Sequence, residues 1–282
     1  MSTPEQVIAA NKALHAHLAA RYKTVEPHYR SENRSKVETI LLDLFQQTGA
    51  ERLLDLGCGT GFMIDLARPH LKRIDGVDIT PAMLAEIQPS DTGAEVILHQ
   101  SDSGSFAGLR EPCEIVTAYS FLHHLFDPWP TLQTAYRALT PGGVFYIDLE
   151  PNFYFWEALS RLDRSIDYNP IIQRELRQIE YQDDFMRDAY GVSFDIFRHA
   201  EYGKLVRGGF KADELVDQLH AAGFRHIDSH YHWFIGEGKM INDSNAVIDR
   251  RFANAALVDD VLRNALPLTR HLFKYLRIFA WK

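Results

Sequence analysis

The N-terminal part of the chain alternates apolar and polar residues at helical spacing. Thr3, Pro4 and Gln6 are typical of a helix start, because threonine and glutamine complete a capping box and proline suits the first helical position. Apolar residues then recur near helical spacing as far as Leu18. The stretch from Tyr29 to Phe45 repeats the pattern, so the spacing predicts two amphipathic helices before any strand.

Short apolar runs separated by helical stretches follow these helices. The five runs are Arg52 to Leu56, Arg73 to Ile79, Glu95 to Gln100, Glu114 to Ser120 and Val144 to Leu149. The segments between them, such as Thr131 to Leu139, have helical spacing over roughly 10 residues. Alternation of helices with strands that are apolar throughout indicates a parallel sheet covered on both faces. The pattern therefore predicts an α/β fold.

The alternation breaks after Glu150 for about 55 residues, in a stretch that is rich in aromatic side chains and has a largely helical pattern. The pattern then predicts a helix over Ala212 to Ala222 and a strand over Phe224 to Phe234. A further helix over Asp249 to Leu266 precedes a last apolar segment, Leu272 to Trp281.

A glycine-rich turn follows the first apolar run, in the sequence Asp55-Leu56-Gly57-Cys58-Gly59-Thr60-Gly61-Phe62. Glycines let the backbone approach a ligand closely, and the N-terminus of the following helix favours negative charge. A dinucleotide fingerprint needs a small residue at the position that Phe62 occupies. The turn therefore indicates a nucleotide site that does not bind NAD.

Acidic residues follow the next two runs. Asp78 ends the second run roughly 20 residues after the glycines, where a ribose diol is bound in this architecture. Asp102 follows the third run and is placed to accept a hydrogen bond from an adenine amino group. Ile79 and Met83 are apolar neighbours that can pack against the ring on either face.

In this order, the motifs resemble those of the class I S-adenosylmethionine (SAM)-dependent methyltransferases. The matching segments are Asp55 to Gly61, Gly76 to Ile79, Asp102-Ser103, Ser120 to Leu125, Leu139 to Gly143 and Ala221 to Phe224. The resemblance implies a doubly wound, mostly parallel seven-stranded sheet, with N-terminal helices and a helical cap inserted after strand five. It divides the chain into a lid (1–50), a SAM-binding core (51–150), a cap (151–208) and a segment that completes the sheet (209–282).

The same resemblance implies roles for individual residues toward SAM, the expected cofactor. The glycine turn would line the methionine moiety, Asp78 the ribose, Asp102 with Ser103 the adenine edge, and Tyr29 with Arg30 the carboxylate end. The predicted cofactor-binding residues are Tyr29, Arg30, Gly57, Cys58, Gly59, Gly61, Asp78, Ile79, Met83, Asp102, Ser103 and Ser120.

Two adjacent histidines, His123 and His124, follow the fourth run at the sheet edge where chemistry is expected. Methyl transfer from a sulfonium needs a base only if the nucleophile must lose a proton, and a histidine titrates near neutrality. Either histidine is a candidate base, with His123 favoured; a packing or cofactor-shell role is the alternative. His230 and His232 share one face of a strand, but no third ligand is evident and no metal site is predicted.

The aromatic stretch after the fifth run is the expected substrate-recognition element, since ligands bind at the carboxyl edge of such sheets. The candidate acceptor contacts are Asn152, Tyr154, Trp156, Tyr168 and Tyr190. The alternative is that these side chains only build the core of the cap.

Three functions compete. The first is methylation of O, N or C on a small molecule, and it is favoured. The second is transfer or cyclisation of the aminocarboxypropyl arm with release of methylthioadenosine, because a fold does not fix the reaction. The third is a non-catalytic partner of another enzyme, against which the intact glycine motif and both nucleotide carboxylates argue.

Composition limits the classes of partner that we expect for this chain. The formal net charge is −8 and the pI about 5.9, so no cationic footprint for nucleic acid is present. Cys58 and Cys113 are the only cysteines, which favours a reducing compartment without disulfides. No targeting pattern or run of about 18 apolar residues occurs. We therefore expect a cytoplasmic enzyme with a small-molecule acceptor and no membrane or nucleic-acid partner.

Overall fold

The computed structural model describes residues 2–90, 93–180, 183–242 and 248–282. These residues form a seven-stranded sheet in the order β3-β2-β1-β4-β5-β7-β6. The strands are β1 (Arg52–Leu56), β2 (Arg73–Asp78), β3 (Glu95–Gln100), β4 (Cys113–Tyr119), β5 (Leu139–Pro151), β6 (His226–Phe234) and β7 (Phe273–Trp281). β1 to β5 pair in parallel, and β7 pairs antiparallel with both β5 and β6. The expected mostly parallel seven-stranded sheet is confirmed.

Helices cover both faces of this sheet. They are α1 (Pro4–Val25), α2 (Ser31–Thr48), α3 (Phe62–Ala67), α4 (Pro81–Leu84), α5 (Trp129–Ala138), α6 (Phe153–Ser160), α7 (Pro170–Leu176), α8 (Asp183–Tyr190), α9 (Phe194–Ala200), α10 (Ala212–Ala222), α11 (Glu237–Ile241) and α12 (Ile248–Asn264). Leu53 of β1 packs in one core with α2 and α3, and Leu54 packs in another with α5 and α10. Because successive strand residues point to opposite faces, these are the two sides of the sheet.

Several elements begin or end away from the predicted residues. α3 and α4 span only six and four residues, so the expectation of roughly ten held for α5 alone. α2 starts at Ser31 rather than Tyr29, because Pro27–Tyr29 forms a short 3₁₀ turn and Arg30 is extended. β6 starts at His226, the residue that pairs with Trp281 at the end of β7.

The residues between β5 and α10 contain α6 to α9 and a π-helix, Tyr202–Val206; we call residues 153–206 the insert. Leu14 and Leu18 of α1 pack against Met186 of α8 and Phe197 of α9 in a core separate from the sheet. The insert therefore holds α1 in place. Within the described ranges, no helix is long and apolar enough to cross a lipid bilayer. The boundaries of the four segments stay a prediction.

Candidate functional site

A cavity of about 350 Å³ lies at the carboxyl edge of the sheet. β1 and β4 are neighbours there, while the chain leaves β1 toward β2 on one side and returns through β4 on the other. Such a switch in strand order leaves a crevice between the two connections, where ligands bind in open α/β sheets. The wall combines the turn after β1, the ends of β2 and β4, and α1.

The glycine turn forms the floor of the cavity. Gly57 and Gly59 have φ angles of +73° and +50°, a region that side chains other than glycine rarely adopt. The N–H groups of Gly57 and Cys58 donate to the Val77 carbonyl at 2.8 and 3.0 Å. A Cβ at Gly57 would lie 2.0 Å from the ring of Phe121, so the close approach requires glycine.

Asp78 at the end of β2 fixes this turn. One oxygen of its carboxylate accepts the Gly59 N–H at 3.0 Å, and the other accepts the Thr80 N–H at 2.7 Å. A carboxylate that accepts two backbone donors holds both segments in register. The side chain also lines the cavity, so the residue that holds the turn can also contact a ligand there.

Asp55, the first residue of the glycine motif, is a cavity group that sequence reasoning did not select. It is 1% exposed, and its Oδ1 accepts a hydrogen bond from the Thr117 hydroxyl at 2.7 Å. Its Oδ2 has no hydrogen-bond partner among the described residues. Burial, with a contribution from Asp78, raises the pKa of Asp55 to about 7. An unpaired buried carboxylate oxygen costs free energy until a donor or cation meets it.

Aromatic side chains line the neighbouring part of the wall. They are Tyr22, His28, Tyr29, Phe62 and Tyr119. The His28 ring centroid lies 4.8 Å from Tyr29, 4.9 Å from Phe62 and 5.7 Å from Tyr119. Burial lowers the pKa of His28 to about 3, so the ring is neutral and adds no charge. Aromatic faces attract a cation, and this group can therefore stabilise a sulfonium.

Polar and apolar groups meet on the far side of the glycine turn. Ile79 and Met83 line the wall with Asp102 and Ser103. Asp102 Oδ1 accepts the Ser105 N–H at 3.0 Å, which holds the loop after β3. Side chains of this kind provide two faces for a flat ring and acceptors for its edge.

His123 lies behind the cavity wall. Its Nδ1 is 2.9 Å from Glu150, a fully buried carboxylate that also accepts the N–H groups of Phe121, Leu122 and His123. Burial lowers the pKa of His123, but Glu150 and Glu201 outweigh burial and the pKa is raised. Glu150 therefore anchors the loop after β4 through both backbone and side chain.

His124 lines the cavity beside this loop. Its Nδ1 lies 2.8 Å from the Ala200 carbonyl, and its ring meets the edge of His15 with centroids 4.8 Å apart. Burial and the adjacent His123 lower the pKa of His124 to about 3. Asn11 of α1 donates to the His124 carbonyl at 2.9 Å, so the helix and the loop close on each other here.

Comparison with known proteins agrees with this geometry. Residues 54–145 match a family model described as a methyltransferase domain. A probable SAM-dependent methyltransferase of Mycolicibacterium smegmatis is 23% identical over 225 residues, covering 79% of this chain and 75% of the relative. A ubiquinone biosynthesis O-methyltransferase of Saccharophagus degradans is 25% identical over 158 residues, covering 54% and 67% respectively.

Solved structures share the fold. A SAM-dependent methyltransferase from Mesorhizobium loti aligns with a TM-score of 0.50 at 20% identity, covering 86% of this chain and 96% of that one. The plantazolicin methyltransferase BpumL, solved with a desmethylPZN analogue and S-adenosylhomocysteine (SAH), gives 0.54 at 14% identity, covering 99% and 97%. Residues 54–145 form a methyltransferase domain, and the chain is a SAM-dependent methyltransferase with the class I fold. Its cofactor is SAM, and the free oxygen of Asp55 suits the ammonium group that SAM carries.

In this methyltransferase, ten of the twelve residues predicted for the cofactor line the cavity. The other two, Arg30 and Gly61, do not. Arg30 is exposed and supplies the N-terminal boundary of α2. Gly61 has a φ of +88° and begins α3, so its conformation serves the turn behind the wall.

The five residues predicted to contact the acceptor lie outside the cavity wall. Fully buried Asn152 caps α6 and donates to the Arg270 and Phe273 carbonyls, which ties the insert to β7. Tyr154 lies under the Arg270 guanidinium. The rest pack inside the insert: Trp156 and Tyr168 in one core, and Tyr190 against Phe197 in another.

The methyltransferase instead closes its cavity with α1 and the loop after β4. Pro4, Val7 and Ile8 line it from α1, and Phe121 and Phe126 line it from the loop. These five side chains are apolar. The sequence predicted α1 correctly as a helix, but not that its first turns face the cavity.

Proposed function

We propose that this methyltransferase transfers the methyl group of SAM to a small molecule held in the same cavity. The observation that carries the proposal is the apolar part of the cavity wall, which Val7 and Ile8 of α1 form together with Phe121 and Phe126 of the loop after β4. It adjoins the glycine turn and the aromatic group around His28. A small, largely apolar acceptor fits such a space beside the cofactor.

The proposed cofactor contacts follow the arrangement of the wall. The glycine turn and the aromatic group around His28 surround the methionine end, with Asp55 Oδ2 accepting from the ammonium group. Asp78 binds the ribose hydroxyls, and Asp102 with Ser103 binds the adenine edge. Ile79 and Met83 pack against the adenine faces. Support comes from their common position around one cavity.

Transfer from a sulfonium is an in-line displacement, so the protein contributes mainly alignment and exclusion of water. Of the two candidate histidines, His124 lines the cavity, and we place it beside the acceptor. His123 contacts Glu150 instead and holds the loop that carries His124. The geometry of the wall therefore favours His124 over His123 beside the reacting atoms.

The relatives and the charge of the chain support a small acceptor. The S. degradans relative is named for ubiquinone biosynthesis, and the plantazolicin enzyme was solved with a pentazolic desmethylPZN analogue and SAH bound. The net charge of −8 disfavours a polyanionic substrate such as nucleic acid. These comparisons support methyl transfer rather than transfer of the aminocarboxypropyl arm, because both relatives are named as methyltransferases.

Filling the apolar part of the cavity tests the proposal. Ile8→Trp adds bulk where α1 faces the cavity, whereas Lys12→Trp places the same side chain on the exposed face of the helix. We expect Ile8→Trp to keep SAH affinity within about twofold and to lower methyl transfer about tenfold or more, because the acceptor loses its alignment. Equal turnover of the two variants would show that the acceptor binds elsewhere.

A further inference from the structure

Three side chains of types that can bind a metal ion meet at the cavity wall and behind it. His123 and His124 lie in the loop after β4, and Glu201 follows α9 in the insert. One donor atom from each side chain lies within 4.8 Å of the other two. The side chains of His123, His124 and Glu201 are only 6%, 11% and 15% exposed, so this is not a surface cluster.

The Glu201 carboxylate lies beyond hydrogen-bond distance from both imidazole rings. Its carboxylate oxygens lie 3.8 Å from His123 Nε2 and 3.6 Å from His124 Nδ1. Within the described ranges, no side chain or backbone donor is hydrogen-bonded to this carboxylate. Two ligands of one tetrahedral ion, each about 2.1 Å from it, are roughly 3.4 Å apart. Small side-chain rotations therefore bring these donors to metal-binding distances.

Glu150 orients the first of these ligands. It receives the Nδ1 hydrogen bond of His123 at 2.9 Å, which directs Nε2 toward Glu201. Metal-binding histidines commonly donate their other ring N–H to a carboxylate, which fixes the tautomer and the ring orientation. Glu150 is itself fixed by three backbone N–H groups of the loop after β4.

The backbone after Glu201 is also adapted to this contact. Glu201 immediately precedes the π-helix Tyr202–Val206, and π-helical turns are frequent at functional sites. Gly203 of that turn packs on His123: a Cβ there would lie 2.7 Å from the His123 Cα. The unusual turn and the glycine together bring the carboxylate to the histidine pair.

We propose that His123, His124 and Glu201 bind one divalent transition-metal ion beside the cofactor cavity. Two imidazoles and one carboxylate suit Zn²⁺, Co²⁺ or Ni²⁺ rather than Mg²⁺ or Ca²⁺, which prefer oxygen ligands. The ion replaces the proton that His124 Nδ1 donates to the Ala200 carbonyl. Lys204 is a cation whose charge also acts on His123, and its Nζ lies 4.5 Å from the centroid of the Trp156 ring.

Such an ion would join two parts of the wall. His123 and His124 belong to the loop that lines the cavity, and Glu201 follows the helix that packs against α1. Metal binding is therefore expected to stabilise the closed arrangement of loop, insert and α1. Ligands that bind only the folded state raise its stability with concentration, so added Zn²⁺ should raise the Tm.

Metal content of the purified protein tests the proposal without any assay of methyl transfer. The protein is treated with EDTA, dialysed against Zn²⁺ and then against metal-free buffer, and analysed by elemental mass spectrometry. We expect one Zn²⁺ per chain, and Co²⁺ in its place should give visible d–d absorption from nitrogen ligation. A wild-type protein that retains no Zn²⁺ and shows no Co²⁺ spectrum overturns the proposal, while leaving the proposed methyl transfer intact.

Matched variants locate the ion. Glu201→Gln removes the anionic ligand at constant size, and Gly203→Ala displaces the π-helix while keeping all three ligands. His226→Gln is the control, because His226 forms an exposed pair with Asp228 and can bind metal only at the surface. Both test variants should lose Zn²⁺ affinity at least about tenfold and keep SAH affinity, with the control unchanged. Equal Zn²⁺ binding by Glu201→Gln would overturn the assignment.

Discussion

At the residue scale, two carboxylates give the cofactor site its chemistry. Asp78 accepts one N–H group on each oxygen, from Gly59 and Thr80, and keeps further acceptor capacity toward the cavity. In our proposal it therefore both shapes the turn and binds the ribose. Among the described residues, one oxygen of Asp55 has no hydrogen-bond partner. Asp78 therefore holds the turn in place, and Asp55 has an oxygen that can accept from a cationic group of the ligand.

Asp78→Ala should weaken SAM binding by roughly 10- to 100-fold, since hydrogen bonds to a charged group contribute about 1.5–3 kcal/mol and two turns lose their acceptor. Titration calorimetry with SAH measures the change. Asp75→Asn is the matched control: it lies on the same strand, bonds Arg73 and His99, and does not line the cavity. Wild-type affinity in Asp78→Ala would contradict the site assignment.

His28 should make folding stability depend on pH. Its pKa of about 3 in the folded chain lies below the unfolded value near 6.5, so the unfolded state binds more protons between these values. Stability is therefore lost as pH falls below about 6.5, by about 2 kcal/mol between pH 7 and pH 5.

The variant His28→Phe keeps an aromatic ring against Tyr29 and Phe62 but cannot take up a proton. Urea unfolding at several pH values compares the two chains. We expect the wild type to lose this extra stability on acidification and the variant to be flatter by the same amount. Parallel curves would mean that His28 is not held neutral in the folded chain.

A local motif was enough to predict which residues line the cavity, while their roles toward SAM stay predictions. The glycine turn, Asp78 and Asp102 stand at fixed places after apolar runs, so their position at the sheet edge followed from strand order. Glu150 and Glu201 carry no such signal. Glu150 ends an apolar strand, and Glu201 lies in a charged helical stretch, so only folding brings them to the histidines.

At the element scale, packing against other elements fixes α1 in the cavity wall. Leu14 and Leu18 bury one side of it against Met186 and Phe197 of the insert. Asn11 joins it to the loop after β4 through the His124 carbonyl. The helix thus closes the cavity because two other elements hold it.

Asn11→Ala should loosen this closure. The change leaves the His124 carbonyl without the Asn11 donor, a loss of about 1 kcal/mol, and amides of α1 should then exchange roughly fivefold faster. Hydrogen–deuterium exchange with mass spectrometry measures this, with the exposed neighbour substitution Lys12→Ala as control. Equal protection in both variants would show that the bond does not hold the helix.

Helix pattern alone could not assign the acceptor wall. The aromatic stretch after β5 was expected to contact the acceptor. Trp156, Tyr168 and Tyr190 instead pack against other apolar side chains inside the insert. Periodicity shows that a helix has an apolar face, not which surface that face meets. The same limit hid the cavity-facing side of α1, whose first turns mix apolar residues with charged ones.

At the scale of the whole molecule, strand order creates the site. The parallel strands were predicted from their apolar runs, because both faces of the sheet are covered. The antiparallel insertion of β7 between β5 and β6 depends on long-range pairing, and no local pattern specifies it; the resemblance alone implied the seven-stranded sheet.

The most direct test of methyl transfer identifies the nucleoside product. The purified protein is incubated with SAM, alone and with a panel of phenols, carboxylates and amines, and the products are analysed by mass spectrometry with Asp78→Ala as the blank. We expect SAH to form only with an acceptor, together with an acceptor heavier by one methylene unit. Methylthioadenosine above the level of the blank would mean that the aminocarboxypropyl carbon is attacked and would contradict the proposed function.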